Sequence, residues 1–134
     1  MNKPTRHKAF IFNDKIDKDL LISLYEDDFA YMEEIFSITL TQLKPDIIIL
    51  KAAFESGDLA GLQKAVHEIK PSFGFVGLPQ TQEFCQQFED HCAVSSSTSQ
   101  LVSNYTLLCT RLEESVHIIE TEHAKLKEYN LSVS

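Results

Sequence analysis

The chain has 134 residues, of which 43% are hydrophobic and 24% are charged. This length and composition fit one globular domain and exclude a disordered tail, a collagen-like repeat and a disulfide-rich miniprotein. The formal net charge of −8 argues against non-specific nucleic-acid binding, which depends on clustered lysine and arginine. No apolar run approaches the ~18–20 residues that span a bilayer, and the first residues lack the apolar core of a secretory signal. We therefore expect a cytoplasmic protein that does not bind membranes.

The three cysteines, Cys85, Cys92 and Cys109, form no CxxC motif and cannot all pair with one another. In a reducing compartment they are most simply small core residues. The four glycines and four prolines are too few for the many turns of an all-β fold. Composition therefore favours helices.

The N-terminal half contains an arm and two predicted helices. The first ~15 residues show no helical period, and we predict an arm that either packs through its aromatic side chains or is partly loose. Asp17 then precedes a short amphipathic stretch and predicts a capped helix. From Phe29 to Phe54 the apolar residues recur at steps of three and four, which is one face of a long helix. Within that helix, Pro45 predicts a kink or a division into two segments.

The rest of the chain continues the helical pattern. A third helix is predicted over residues 59–76 and ends at the break 77–79, and a shorter helix follows over 81–92. The serine-rich segment 95–99 predicts a surface loop, and a last helix follows over 101–126. Four main amphipathic helices with short connections predict an all-α, up-down-up-down antiparallel four-helix bundle with a short additional N-terminal helix.

The predicted elements define one domain without an internal repeat. We assign residues 1–16 to an N-terminal arm, residues 17–128 to the helical bundle and residues 129–134 to a C-terminal tail.

The third predicted helix contains a histidine that does not belong to its apolar stripe. At ~100° per residue, His67 points roughly 130° away from that stripe and should stand on the solvent side of the helix. Its neighbours one and two turns away are Gln63, Lys64, Lys70, Pro71 and Gly74. The imidazole would thus have a cation one turn away and small side chains above it.

Two of these neighbours weaken a helix. Gly74 costs about 1 kcal/mol relative to alanine, and Pro71 costs ~3 kcal/mol or more in a helix interior. Two such residues beside one exposed histidine suggest that small side chains are selected there so that another molecule can reach the imidazole. The alternative is that Pro71 ends the helix and Gly74 begins a loop, and the spacing alone favours that alternative.

The segment from His67 to Leu78, HEIKPSFGFVGL, resembles the signature of histidine-containing phosphotransfer (HPt) domains. That signature is a histidine, any residue, a hydrophobic residue, lysine, glycine, and serine or alanine, then a small residue and a hydrophobic-glycine-hydrophobic step. The flanking residues match as well, so that the resemblance covers roughly residues 18–127. The chain departs from the signature at Pro71, where the family usually has glycine.

The resemblance implies that His67 accepts a phosphoryl group from an aspartyl phosphate of one receiver domain and passes it to another receiver domain in a multistep two-component phosphorelay. It implies that Nε2 attacks and that Lys70 neutralises charge on the phosphoryl oxygens. The remaining neighbours would form the surface through which the partner gains access: Gln63, Lys64, Pro71 and Gly74.

The resemblance also defines the expected partners. These are response-regulator receiver domains, with a hybrid sensor histidine kinase as a further candidate. We expect no cofactor in this chain, because the divalent metal needed for the transfer would lie in the receiver domain. A monomeric carrier without an ATP site or independent turnover is implied. Its docking contacts would be apolar, with Phe75, Ile35 and Ile38 as candidates.

Two other functions remain open. A non-catalytic helical adaptor would keep the fold and dock on receiver domains without carrying phosphate, and Pro71 is the residue that motivates this alternative. An enzyme that uses His67 as a general base would need a concave pocket and a partner acid or nucleophile, which a convex helix face does not supply.

The other histidines compete poorly with His67. His7 lies in the arm, and His123 lies on the apolar stripe of the last helix, where we expect it to be buried and hydrogen-bonded. His91-Cys92 together with Cys85 does not have the spacing of a common structural zinc site.

Overall fold

The computed structural model describes residues 9–133 of the chain. Residues 1–8 of the predicted arm, including His7, and Ser134 of the predicted tail lie outside the described residues. The described part contains five α-helices, and a 3-10 helix (Thr98–Leu101) leads into the last of them. The α-helices are α1 (Lys18–Tyr25), α2 (Phe29–Glu55), α3 (Leu59–Phe75), α4 (Pro79–Val94) and α5 (Val102–Val133).

Aspartate side chains begin the first three helices. Each carboxylate accepts a hydrogen bond from a backbone N–H of the first turn: Asp17 from Leu20 at 3.0 Å, Asp28 from Tyr31 at 3.0 Å and Asp58 from Gly61 at 2.9 Å. A cap of this kind stabilises a helix by about 1 kcal/mol. The helix starts therefore follow directly from the sequence.

Gly77 makes the turn between α3 and α4 possible. Its φ of 78° lies in the left-handed region that favours glycine. A Cβ atom added there would lie 2.9 Å from Cγ2 of Ile16 and 3.0 Å from Cγ of Leu21. Its carbonyl also accepts a hydrogen bond from the backbone N–H of Asp17 at 2.8 Å. The turn thus fixes α4 against α3 and the segment before α1 against both.

The four long helices form a closed ring in which α2 packs on α3, α3 on α4, α4 on α5 and α5 on α2. Short connections join successive helices, which confirms the predicted up-down-up-down bundle, and α1 packs on α2 as the additional helix. The largest fully buried side chains fill the ring and the end beside α1: Phe36, Phe73, Phe88, Leu21, Met32, Leu43, Leu50, Leu62, Ile69, Leu101, Leu108 and Leu112.

Both internal prolines lie within unbroken helices. The helix α2 continues past Pro45, so the predicted division there is wrong, and α3 continues past Pro71 to Phe75. The alternative that Pro71 ends the third helix is therefore also wrong. Each proline removes one helical hydrogen bond at a cost of ~3 kcal/mol. The fully buried Leu50 and Phe73 lie beyond the two prolines, and burial of such side chains stabilises each helix end by about 1.5–3 kcal/mol apiece.

The segment after α4 is more ordered than the predicted loop. Thr98 begins the 3-10 helix and is buried, and Leu101 is almost completely buried. Only residues 95–97 form the connection that the serine-rich composition predicts. The buried pair holds the end of α4 close to the start of α5.

The two ends of the described chain pack against each other. The helix α5 runs through residues 129–133, which the sequence analysis assigned to a C-terminal tail. The ring of Tyr129 lies 5.5 Å from the ring of Phe10 and 5.2 Å from that of Phe29. The domain bounds 17–128 stay a prediction; Ile16 belongs to the core, and α5 passes residue 128 without a break.

On α5 the prediction for His123 is only partly met. His123 is half-buried, whereas its neighbour Glu122 has no exposed surface. The carboxylate of Glu122 accepts a hydrogen bond from the backbone N–H of Asn13 at 2.9 Å and lies 3.0 Å from Nζ of Lys125. The arm thus covers a charged residue that the apolar pattern does not reveal.

Within residues 9–133, no helix is both long enough and apolar enough to cross a membrane.

Candidate functional site

His67 lies in the middle of α3, and 64% of its side chain is exposed. The preceding residue on the helix, Val66, and the residue two positions later, Ile69, are both completely buried. The apolar stripe therefore faces the bundle and turns the imidazole outward, as the spacing of the sequence predicts.

A carboxylate of α4 holds one nitrogen of this ring. Nδ1 of His67 lies 2.8 Å from Oε2 of Glu89, whose side chain is only 16% exposed. A carboxylate can only accept a hydrogen bond, so Nδ1 carries the proton. In the neutral ring Nε2 then has the free lone pair. The site thus presents a nucleophilic nitrogen on an exposed ring, and the hydrogen bond to Glu89 on α4 fixes the orientation of that ring.

Lys70 belongs to the same cluster. Its Nζ donates hydrogen bonds to Oε1 of Glu89 at 2.8 Å and to Oε1 of Gln86 at 2.6 Å, and its side chain is 17% exposed. The ammonium therefore lies against α4. Two of its three N–H donors are used there, which leaves one for a further acceptor.

The charges around Glu89 determine its ionisation. Burial raises the pKa of the carboxyl group, but the hydrogen bonds from Lys70 and His67 and their positive charges lower it more strongly. The net result is a pKa below the ordinary glutamate value. Glu89 is therefore a carboxylate at neutral pH and accepts from both neighbours at once.

Helical spacing brings these residues together. His67 and Lys70 are three positions apart on α3, and Gln86 and Glu89 are three positions apart on α4, so that each pair lies on one face of its helix. The tight turn at Gly77 packs the two faces against each other. The sequence analysis identified the α3 pair and missed the α4 pair. The available signal was the match of Glu89 to a flanking position of the HPt family, which by itself gives the residue no role.

The other predicted site residues differ in how far they are exposed to solvent. Lys64 and Pro71 are exposed, whereas Gln63 and Gly74 are half-buried. A Cβ atom at Gly74 would lie 2.7 Å from Oε1 of Gln82 on α4. Glycine at this position therefore makes room for the Gln82 side chain and also leaves no side chain of its own above the imidazole of His67.

An apolar surface extends from the ring toward α1. His67, Pro71 and Phe75 follow one another at four-residue steps along one side of α3, and Phe75 is 53% exposed. The hydroxyl of Tyr25 donates a hydrogen bond to the carbonyl of Phe75 at 2.7 Å, and its ring contacts Tyr31 with centroids 5.6 Å apart. Of the two α2 candidates, Ile38 is 51% exposed and Ile35 is half-buried.

The cysteines have the character of core residues. Burial raises the pKa of Cys85 to about 12 and that of Cys92 to about 11, so both thiols stay protonated at neutral pH and are poor metal ligands. Across residues 9–133, no group of three or more histidine, cysteine, aspartate or glutamate side chains is placed to hold a metal ion.

The fold and the site define an all-helical bundle that presents one oriented histidine on the surface of a central helix. The family model of the Hpt domain matches residues 34–125. The chain belongs to the Hpt domain family.

One solved structure illustrates the shared fold. The HPT domain from an Hpt sensor hybrid histidine kinase of Shewanella is similar with a TM-score of 0.71 and 17% sequence identity, over 83% of this chain and 95% of that chain. At this identity the likeness concerns the fold. Among curated proteins, no significant match to the chain is found.

Proposed function

We propose that this protein is a histidine phosphotransfer carrier of a multistep two-component phosphorelay. His67 accepts a phosphoryl group from the aspartate of one receiver domain and passes it to another. Membership of the Hpt family supports phosphorelay histidine phosphotransfer in general. The observation that carries the assignment to His67 is its hydrogen bond from Nδ1 to Glu89 on a ring that is 64% exposed.

The proposed transfer is a displacement at phosphorus. The Nε2 lone pair of His67 forms a bond to phosphorus, while the bond to the aspartate oxygen breaks and its electron pair leaves with the carboxylate. The ring keeps its Nδ1 proton and becomes positively charged. Glu89 then accepts a charge-assisted hydrogen bond from that proton, which is stronger than the bond to the neutral ring. Transfer to the next receiver reverses these steps.

Lys70 has two roles in this proposal. Its ion pair at 2.8 Å keeps Glu89 charged and in place, and its third N–H is available for an oxygen of the incoming phosphoryl group. Phosphoryl transfer depends mainly on such alignment and charge stabilisation. The divalent metal that assists the transfer would belong to the receiver domain.

The receiver domain would dock over His67 and the apolar surface beside it. Pro71 and Phe75 lie on the same side of α3, and Ile38 adds an exposed apolar side chain on α2. Exposed apolar side chains of this kind mark binding surfaces. We further propose that the protein acts as a monomer in the cytoplasm and has no turnover of its own.

Transfer from a phosphorylated receiver domain tests this function. Wild-type protein should gain an acid-labile phosphoryl group, and His67→Gln should abolish the labelling. His117→Gln is the matched control, because His117 is an exposed histidine on α5. Wild-type protein that stays unlabelled with every receiver domain of its source would refute the proposal.

A non-catalytic adaptor is the second candidate. The observation that favours it is the exposed ring of Pro71 one turn beyond His67, since it adds bulk where the family signature has glycine. An adaptor would bind receiver domains equally well as wild type and as His67→Ala, and no acid-labile phosphate would appear on either.

A further inference from the structure

Gln86 connects the His67 cluster to a further charged residue of α4. Its side-chain oxygen Oε1 accepts a hydrogen bond from Lys70 at 2.6 Å, and its Nε2 donates one to Oδ1 of Asp90 at 2.9 Å. Gln86 and Asp90 are four positions apart on the same helix, so the second contact needs no help from the rest of the fold.

The contact with Asp90 determines which end of the amide faces Lys70. A glutamine side chain has one acceptor oxygen and one NH2 donor at nearly the same place. With the NH2 group bound to Asp90, the oxygen points to the ammonium of Lys70. The opposite orientation would place N–H donors against the ammonium and oxygen against the Asp90 carboxylate, which is repulsive on both sides.

A continuous hydrogen-bonded chain therefore runs from Asp90 through Gln86, Lys70 and Glu89 to Nδ1 of His67. Lys70 is a long and flexible side chain that could otherwise leave the carboxylate. The amide oxygen of Gln86 gives it a second acceptor on α4 and so confines it beside Glu89.

We propose that Gln86 is a positioning residue for the phosphoryl acceptor, and that it acts by holding Lys70 on Glu89. The inference rests on the proposed function of His67. Gln86 touches neither the imidazole nor the reacting atoms in this arrangement. Its effect is on the orientation of the ring and on the balance of charge around it.

The charges around His67 determine how loss of the Gln86 contact should change the protonation of the ring. Glu89 contacts the imidazole, Lys70 contacts Glu89, and Asp90 contacts Gln86. Lys64 and Glu68 are the other charged residues close to His67 along α3. When Lys70 is no longer confined, the negative charge of Glu89 is less well compensated at the imidazole. The uncompensated carboxylate favours the imidazolium form, whose Nε2 carries a proton and cannot attack phosphorus.

The test compares Gln86→Leu, which removes both hydrogen bonds, with Gln86→Glu, which keeps an acceptor for Lys70. Gln87→Leu is the matched control, because Gln87 is the adjacent glutamine and lies along the groove between α4 and α5. Each protein is phosphorylated by a labelled receiver domain in single turnover over a range of receiver concentrations and pH. The protonated nitrogen of the His67 ring is followed in parallel by nitrogen-15 NMR without any receiver.

We expect Gln86→Leu to lower the transfer rate at saturating receiver about tenfold, the lower end of the effects seen when groups that orient a ligating histidine are removed. The receiver concentration at half saturation should not change. The rise of the rate with pH should move to higher pH, and NMR should show a smaller population with the proton on Nδ1 alone. Gln86→Glu keeps an acceptor for Lys70, so it should lose clearly less than Gln86→Leu, although its added negative charge moves the pH profile in the same direction. Gln87→Leu should match wild type.

Three results would overturn the proposal: a wild-type rate and pH profile for Gln86→Leu, an equal loss in Gln87→Leu, or a loss in Gln86→Glu as large as in Gln86→Leu. The last two would indicate a packing effect on α4. Failure of wild-type labelling would instead refute the proposed function. In that case the NMR comparison still tests the role of Gln86. If the position of the proton on the His67 ring is the same in Gln86→Leu as in wild type, Gln86 does not position the ring.

Discussion

The proton on Nδ1 of His67 decides what the site can do. If the proton were on Nε2, the exposed nitrogen would be a donor and could not attack an electrophile. The 2.8 Å contact with Glu89 fixes the proton on the inner nitrogen. The outward direction of His67 could be predicted from the sequence, because it depends only on periodicity within α3. The partnership with Glu89 could not, because it depends on how α3 and α4 are aligned.

We expect Glu89→Gln to slow phosphoryl transfer to His67 by about 10–100-fold, as for other groups that orient a functional histidine. The amide has a single acceptor oxygen for two donors and no charge to stabilise the phosphorylated ring. Single-turnover transfer from a phosphorylated receiver domain measures the effect. Glu83→Gln, on the exposed side of α4, is the control. A Glu89→Gln rate within twofold of wild type would contradict the role of the carboxylate.

The lowered pKa of Glu89 also predicts how this residue contributes to stability. Its pKa in the folded protein lies below the ordinary value of 4.5, so the carboxylate stabilises the folded state at every pH above that value. The contribution is lost as the pH falls through the folded pKa. Urea unfolding of wild type and Glu89→Gln at a series of pH values should give a difference in unfolding free energy that shrinks as the pH falls from about 5 toward the folded pKa of Glu89. A difference that grows over this acidic range would contradict the stabilising role of the carboxylate.

The helices show where local signals are reliable and where packing overrides them. The Asp17 cap, the periodicity from Phe29 to Phe54 and the break at 77–79 predict helix ends close to those observed for α1, α2 and α3, since these signals act within a few residues. Pro45 does not divide α2, and Pro71 does not end α3, because the local cost of each proline is offset by buried side chains farther along its helix. Thr98 was missed for a similar reason: its burial depends on contacts with other elements.

Pro71 should therefore lower the stability of α3 while leaving its fold intact. We expect Pro71→Ala to raise the free energy of unfolding by about 2 kcal/mol, because alanine restores the N–H that can bond to the carbonyl of His67. Alanine also gives the unfolded chain more conformational entropy than proline does, and this offsets a smaller part of the gain in unfolding free energy. Chemical denaturation measures the change. Pro79→Ala is the control, since Pro79 lies at the start of α4, where a proline is well accommodated, and no comparable gain there is expected.

The arm and the last helix join the two ends of the described chain into the bundle. Glu122 has no exposed surface, and the arm covers it through the backbone N–H of Asn13. Lys125 adds a hydrogen bond to the carbonyl of Ile11 at 2.7 Å. The sequence predicts an arm that packs through its aromatics or is partly loose. It could not place the arm on α5, because more than a hundred residues separate the two.

We expect Phe10→Ala to lower the free energy of unfolding by about 2 kcal/mol, less than for a fully buried phenylalanine because Phe10 is half-buried. Its ring lies 4.9 Å from that of Phe12 and 5.5 Å from that of Phe29. Ile11→Ala is the matched control, since this neighbouring side chain is 76% exposed and its loss should change stability very little. Equal urea midpoints for the two variants would contradict the packing of the arm. Labelling of His67 should be the same in both, because the contacts of Phe10 and Ile11 in the described part of the arm are with Phe12, Phe29, Lys125 and Tyr129.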